Sequence, residues 1–387
     1  MPSDPGLFDG IYARGDAAAH LTDRAWLQAM LDVEAALARA CAAEGLIPES
    51  SARSIAAACR AAGFDLEELS RETARHASPV VGLVAALRVA VAESAREHVH
   101  LGATSQDVVD TALMLLARRS LQPLLDDARG AADAAARLAA EHVRTPMIGR
   151  TLLQQALPVT FGLRAANWLV GIDEARRRLH EVRDRDLAVQ MGGPVGARDP
   201  AVGARVAAEL GLVEPVLPWQ AIRLRPVSLA GALGALAGVL GKIARDVTLL
   251  AQQEVGEVRE GGGPDRGGSS AMAHKRNPVG AVAVLACVKR VPGLVAAALA
   301  AMEQEHERGA GAWQSEWGTY AELLGLTSSA TAWAHELLAS LCVEPDRMRA
   351  NLAASPAADA PLPPGAETLV RRALAAHAAI DESEVMR

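Results

Sequence analysis

The sequence predicts an all-α fold of long helices, and three observations carry that prediction. Ala and Leu, both strong helix formers, are abundant in a 387-residue chain that is 50% hydrophobic and only 3% aromatic. The strand-favouring β-branched and aromatic residues are thin apart from Val. Apolar residues recur at helical spacing over several stretches of about thirty residues, each spanning about 45 Å. Helices that long need partners along their whole length, so a bundle, buried further by oligomerisation, is expected.

The elements follow in order. Thr22 caps a helix over Asp23–Glu44, with Trp26, Leu27, Met30, Leu31, Val33 and Leu37 at helical spacing and Gly45 closing it. After a polar stretch, a second helix is expected near Pro79–His98. A third follows Thr104-Ser105 through Asp107–Arg119, is kinked at Pro123 and continues to about His142. Gly149–Gln155 reads as a loop, and Pro158–Leu187 as helix. Met191–Gly196 reads as turns, Ala201–Leu210 as a short helix and Pro215–Arg225 as irregular chain. One long helix is expected over Pro226–Arg259, another over Pro278–Arg308 and a third over Trp313–Ala339. They flank a flexible glycine-rich segment, Gly261–Ser270. Ala353–Pro364 is too rich in Ala and Pro for regular structure, and Ala366–Ile380 suits a modest helix. The expected domains are 1–102, an N-terminal helical part; 103–345, the long-helix bundle with a catalytic loop at 261–278; and 346–387, a shortened C-terminal segment.

The net charge of −7 with well-mixed signs offers no basic field for nucleic acid. The four cysteines form no CxxC pair and no zinc-ligand spacing, and suit buried thiols in a reducing cytosol. The first residues lack a signal-peptide pattern, and the apolar run near Leu229–Leu240 is short and glycine-punctuated, so a buried core helix is expected rather than a membrane span.

The chemistry concentrates at Gly268-Ser269-Ser270-Ala271-Met272-Ala273-His274-Lys275-Arg276-Asn277-Pro278. Free backbone N–H groups in a glycine-rich loop can form an anion-binding nest. Lys275 and Asn277 then stand beside the start of a long helix, where negative charge is favoured.

This run resembles the Gly-Ser-Ser-x-Met-x-x-Lys-x-Asn-Pro motif of the fumarase/aspartase superfamily. Two further blocks match in order: His100-Leu101-Gly102-Ala103-Thr104-Ser105-Gln106-Asp107, and Gly149-Arg150-Thr151-Leu152-Leu153-Gln154-Gln155. The resemblance spans about residues 6–350. Within the superfamily it is greatest to bacterial 3-carboxy-cis,cis-muconate cycloisomerases, a likeness shared by Gln304–Arg308 and Trp313–Trp317.

The resemblance implies a homotetramer with a central twenty-helix core. Each site would draw Thr104–Asp107, Gly149–Gln155 and Ser269–Asn277 from three subunits. Ser269 would exchange a proton at the carbon beside a carboxylate, and Lys275 and Asn277 would stabilise the resulting aci-carboxylate. Thr104, Ser105 and Gln106 would hold carboxylate oxygens, although Thr104 and Ser105 also suit a helix cap. His100, Arg150, Thr151, Gln155, Ser270, Met272 and His306 are further substrate-binding candidates. Arg223 and Arg225 are candidates for the extra carboxylates, since guanidinium binds them in bidentate fashion. Glu307, Arg308 and Glu316 belong to a family segment near the site; His76 and His274 are weaker candidates. The implied partners are a small di- or tricarboxylate substrate and copies of the same chain, with no nucleic acid and no membrane. No metal or organic cofactor is implied, and the cytoplasm is the expected location.

Relatives that eliminate amines or water carry a histidine where this chain has Leu152. A carboxylate, with a pKa near 4, joins or leaves as the anion and needs no such acid. Leu152 therefore favours lactonisation of 3-carboxy-cis,cis-muconate through an aci-carboxylate, in aromatic catabolism. It also tolerates a β-eliminating lyase releasing fumarate with nitrite as leaving group; an adenylosuccinate-type leaving group suits it less. A non-enzymatic scaffold is the remaining alternative. Four departures bear on the substrate: Gln220 and Leu224 stand where many cycloisomerases have His and Asp, Gly192–Ala197 reads differently around Pro194, Ala273 replaces a proline, and the C-terminal part is short.

Overall fold

The computed structural model describes residues 6–263, 266–272 and 274–385. Ala273 therefore lies outside the described residues.

The described residues are mostly helical. A one-turn helix α1 (Asp9–Tyr12) precedes α2 (Asp23–Ala43), α3 (Glu49–Ala58), α4 (Leu66–His76) and α5 (Pro79–Ala90). The long α6 (Ser105–Glu141) leads to an antiparallel hairpin of β1 (Pro146–Thr151) and β2 (Gln154–Thr160). Then come α7 (Phe161–Arg185), α8 (Pro200–Leu210), α9 (Leu224–Leu250) and a two-residue strand β3 (Val258–Arg259). After the loop follow α10 (Val279–Val288), α11 (Val291–Ala300) and α12 (Ala312–Ala339). Strand β4 (Cys342–Val343) pairs with β3, and α13 (Pro345–Ala353) and α14 (Ala366–Val385) end the chain. The core is a bundle in which α6 packs on α7 and α12, α7 on α9, and α9 on α10 and α12.

Several boundaries are set by visible chemistry. Thr22 accepts the Ala25 N–H, and Thr160 accepts that of Leu163 to start α7. Pro123 sits inside α6 without ending it.

Other expectations need correction. The polar stretch before Pro79 contains α3 and α4, and the helix that starts there stops at Ala90, followed by a 3-10 turn over Glu93–His98. Gly149–Gln155 is the tip of a hairpin. The helix expected to reach Arg259 ends at Leu250, where Gly256 at φ 60° turns the chain back and Glu257 N–H bonds the Leu250 carbonyl. The helix expected over Pro278–Arg308 is two helices. Pro292, in the first turn of α11, has no N–H to continue the ladder from α10.

By length and composition α9 and the Val279–Ala300 segment could each cross a membrane; half of the most apolar window of α9 and a third of the other are buried inside the chain.

Candidate active site

The first block sits at the N-terminus of α6. Thr104 donates its N–H to Asp107 at 3.0 Å, while its buried hydroxyl has no hydrogen-bond partner among the described residues. Ser105 is half-buried beside it. Asp107 is fully buried and also accepts the N–H groups of Gly192 and Gly193 at 3.0 and 2.9 Å and the Gln190 amide at 3.1 Å. Burial pushes its carboxyl above the usual range, against the pull of those donors. His100, at φ 63°, places Nδ1 2.6 Å from Oε1 of the fully buried Glu34.

Gln106 is buried and bonded within the chain. Its amide donates to the Gln220 carbonyl at 2.7 Å and accepts from Arg308 at 2.8 Å. Arg308 also donates to the carbonyls of Pro194 and Gly193. Gln106 and Arg308 thus tie together the Thr104, Gly193 and Gln220 loops. His306 is exposed on the turn before Arg308, at φ 44°. Glu307 is exposed next to it.

Arg223 requires the largest correction. It is 1% exposed, and its donors meet Asp110 at 2.6 and 3.0 Å and Glu316 through Nε at 2.9 Å, with a second, short contact to Glu316. Burial lowers its pKa, but the two carboxylates more than offset this and leave it raised. A guanidinium occupied by two buried carboxylates has no face left for substrate. Burial likewise raises the Glu316 carboxyl, against Arg223. Arg225 donates to the Arg185 and Asp186 carbonyls and so closes the end of α7. Gln220, where many cycloisomerases have His, is buried in this network and not on an open wall.

The second block forms the hairpin tip. Leu152 and Leu153 take φ of 50° and 64° and are 96% and 74% exposed. Left-handed leucine is unfavourable by about 1–2 kcal/mol per residue, and such strain clusters at functional sites. Thr151 and Gln155 are exposed beside it. Arg150 points inward, donating to Glu257 at 2.8 and 2.9 Å, and Asn351 donates to the same carboxylate at 2.8 Å. Arg150 thus anchors the hairpin to Glu257.

The third block is the loop between β3 and α10. Ser269 Oγ accepts the N–H groups of Ala271 and Met272 at 3.3 and 3.2 Å, which stabilises negative charge developing on that oxygen. Asn277 donates its backbone N–H and side-chain amide to the Gly267 carbonyl at 2.7 and 3.2 Å. Lys275, Ser270, Met272 and His274 are exposed. The loop borders a cavity of about 880 Å³ whose lining includes Gln252, Arg259, Arg266, His274, Lys275 and Asn277. Arg259, Arg266, Lys275 and Arg276 line it against one carboxylate, Glu260, and Arg259 and Arg266 are paired with Glu344 and Glu336. His76 lies elsewhere, 3.4 Å from Glu72 at the end of α4.

The first and third blocks do not meet within one chain. Helix α12 runs beside α6: Trp313 donates to Asp110 near the first block, and Arg137 of α6 reaches the Ala339 carbonyl at the far end. Glu336, which pairs with Arg266 of the loop, lies about 35 Å along that helix from Trp313 at the α-helical rise. No group of three or more His, Cys, Asp and Glu is placed to hold a metal ion among the described residues. Sequence reasoning missed Glu34, Gln190, Glu257 and Arg266 because each is defined by a partner distant along the chain.

The chain is similar to known proteins. Residues 13–293 match a family described as lyase. The chain is 45% identical over 355 residues to a 3-carboxy-cis,cis-muconate cycloisomerase of Pseudomonas aeruginosa, covering 89% of this chain and 77% of the relative. It is 44% identical over 367 residues to a nitrosuccinate lyase of Streptomyces davaonensis, covering 90% and 77%. The crystal structure of a 3-carboxy-cis,cis-muconate lactonizing enzyme from Pseudomonas putida superposes with a TM-score of 0.89 at 36% identity, over 97% of this chain and 99% of that one.

Proposed function

Since the chain belongs to the lyase family of the fumarase/aspartase superfamily, we propose that it lactonises 3-carboxy-cis,cis-muconate. The observation that carries the reading is the gathering of Ser269, Lys275 and Asn277 on one loop beside that cavity. One substrate carboxylate oxygen adds to the double bond, and the neighbouring carbon becomes an aci-carboxylate. Lys275 and Asn277 stabilise that dianion, and the carbon takes its proton with the help of Ser269. Thr104 and Ser105 hold a second carboxylate; the Thr104 hydroxyl has no hydrogen-bond partner among the described residues, which supports this. The attacking carboxylate needs no proton transfer, which Leu152 supports.

Each site is proposed to form in a homotetramer. The separation of the blocks within one chain and the exposed hairpin tip support this, as do the exposed Val282 and Leu299 on α10 and α11. Light scattering should return four times the 40.3 kDa chain mass. The free cysteines, three of them buried, support a reducing cytoplasm.

The test is to mix the enzyme with 3-carboxy-cis,cis-muconate and follow its ultraviolet absorbance. Loss of absorbance that Ser269→Ala abolishes supports the reading, and no change at high enzyme concentration rejects the substrate. The similarity to a nitrosuccinate lyase favours a second reading. Release of fumarate and nitrite from nitrosuccinate, without turnover of the muconate, would establish it instead. Inactivity on both substrates with an intact tetramer would favour a scaffold.

A further inference from the structure

The catalytic loop is fastened at its base by groups that neither the motif nor the proposed chemistry uses. Arg266, immediately before Gly267-Gly268-Ser269, pairs with Glu336 on α12 and faces Glu260 Oε2 at 3.8 Å. Its guanidinium lies 5.7 Å from the ring centre of Trp333. Glu260 in turn accepts the N–H groups of Gly280 and Ala281 at 2.9 and 2.8 Å, the first turn of α10. So one carboxylate at the loop's start binds the helix at its end. A side chain at Gly280 would come within 3.1 Å of the Arg266 guanidinium, so the approach is close. Above this clasp, Gly267 at φ 74° receives both Asn277 donors, and a Cβ there would lie 2.4 Å from the Asn277 carbonyl. The loop therefore has a fixed neck, and Ser269 and Lys275 are carried beyond it.

We propose that Arg266 is a positioning residue. Through Glu336 and Glu260 it fixes the neck of the loop, and so sets where Ser269 and Lys275 stand relative to substrate held by other subunits. The inference rests on the reading of Ser269 given above. A positioning residue acts through the group it places, so its loss falls mainly on kcat when the catalytic group is misplaced by a fraction of an ångström. It also has no further effect once that group is gone.

The experiment uses the full-length assembled enzyme and the substrate turned over in the preceding assay. Arg266→Ala should lower kcat by roughly 10- to 100-fold and change KM by less than about threefold. Arg266→Lys should recover part of the loss, since a lysine can still reach one carboxylate. Glu336→Gln, a milder change, should also lower kcat, and it carries the test should Arg266→Ala fail to assemble. Combining Arg266→Ala with Ser269→Ala should cost nothing beyond Ser269→Ala alone. Either kcat within twofold of the parent in both Arg266→Ala and Glu336→Gln, or a further loss in the double variant, would overturn the proposal. If Ser269→Ala itself retains activity, the assignment of Ser269 fails, and the two failures are thereby told apart.

Discussion

Arg223 and Asp110 face each other across the start of α9 and the first third of α6, with both carboxylate oxygens bonded to the guanidinium at 2.6 and 3.0 Å. Glu316 closes the other side of the guanidinium, and Trp313 adds a bond to Asp110 at 2.9 Å. The cation thus binds two buried carboxylates at the point where α6, α9 and α12 converge, offsetting one of their two charges. Removing it leaves both uncompensated. Arg223→Ala should destabilise the protein by about 3–5 kcal/mol, seen as a lower denaturation midpoint. Unchanged stability with a raised KM would restore Arg223 to the substrate.

Glu257 plays the matching part at the other end. It is fully buried and receives Arg150 in bidentate fashion together with Asn351, joining the hairpin to the end of α9 and to α13. Glu257→Ala should cost about 1–3 kcal/mol, since it leaves the half-buried Arg150 and Asn351 without their partner. It should also speed proteolytic cutting at the Leu152-Leu153 tip. Cutting at the parent rate would show that the pair does not anchor the hairpin.

The same two residues show what was legible in the sequence. Arg150 is readable as part of a motif block, but Glu257 lies 107 positions away, and nothing local announces the pair. Gln106 and Gln220 are 114 apart. The long helices were legible because their apolar period repeats many times. Helix α4 was not, since it buries one leucine, although Asp65, which accepts the Glu67 and Glu68 N–H groups, was a readable cap. Pro292 was an equally readable break, and was overridden by the apolar run around it. The loop residues Ser269, Lys275 and Asn277 were legible because their order is local; their dependence on Arg266 and Glu336 was not.

Burial sets the thiol chemistry. It pushes the Cys59 thiol up to about 12 and raises those of Cys41 and Cys287. At pH 8 these three stay protonated and covered, so iodoacetamide on the native protein should modify Cys342, which is partly exposed, well before the others. Peptide mass spectrometry reads the order; native labelling of Cys59 as fast as Cys342 would contradict the packing.

His142 ends α6, edge-on to Phe161 at 5.5 Å and 3.0 Å from the Thr145 hydroxyl. Burial lowers its pKa from the ordinary value near 6.5. The folded state then binds its proton less readily than the unfolded chain. The stability this group contributes is present above about pH 6.5 and is lost as pH falls through the folded value. The midpoint of thermal unfolding should therefore decline between pH 7.5 and 5.5 more steeply in the parent than in His142→Gln. Parallel slopes would rule the histidine out as a source of that decline.

The separation of the blocks makes the strongest demand. Thr104 lies at one end of α6, whereas Arg266, two residues before the catalytic loop's Gly268, is bound to Glu336 at the other end of α12. A site needing both must take them from different copies. Thr104→Ala and Ser269→Ala homo-oligomers should therefore each be nearly inactive for different reasons. When the two are unfolded together and reassembled, some sites receive an intact Thr104 from one copy and an intact Ser269 from another. With random assortment of equal amounts, roughly one site in four should be whole, so about a quarter of the parent activity should return. If both residues served one site within a single chain, no mixing of these variants could restore activity. Recovery therefore depends on the residues crossing between copies, and its absence after proven co-assembly would place the site within one chain.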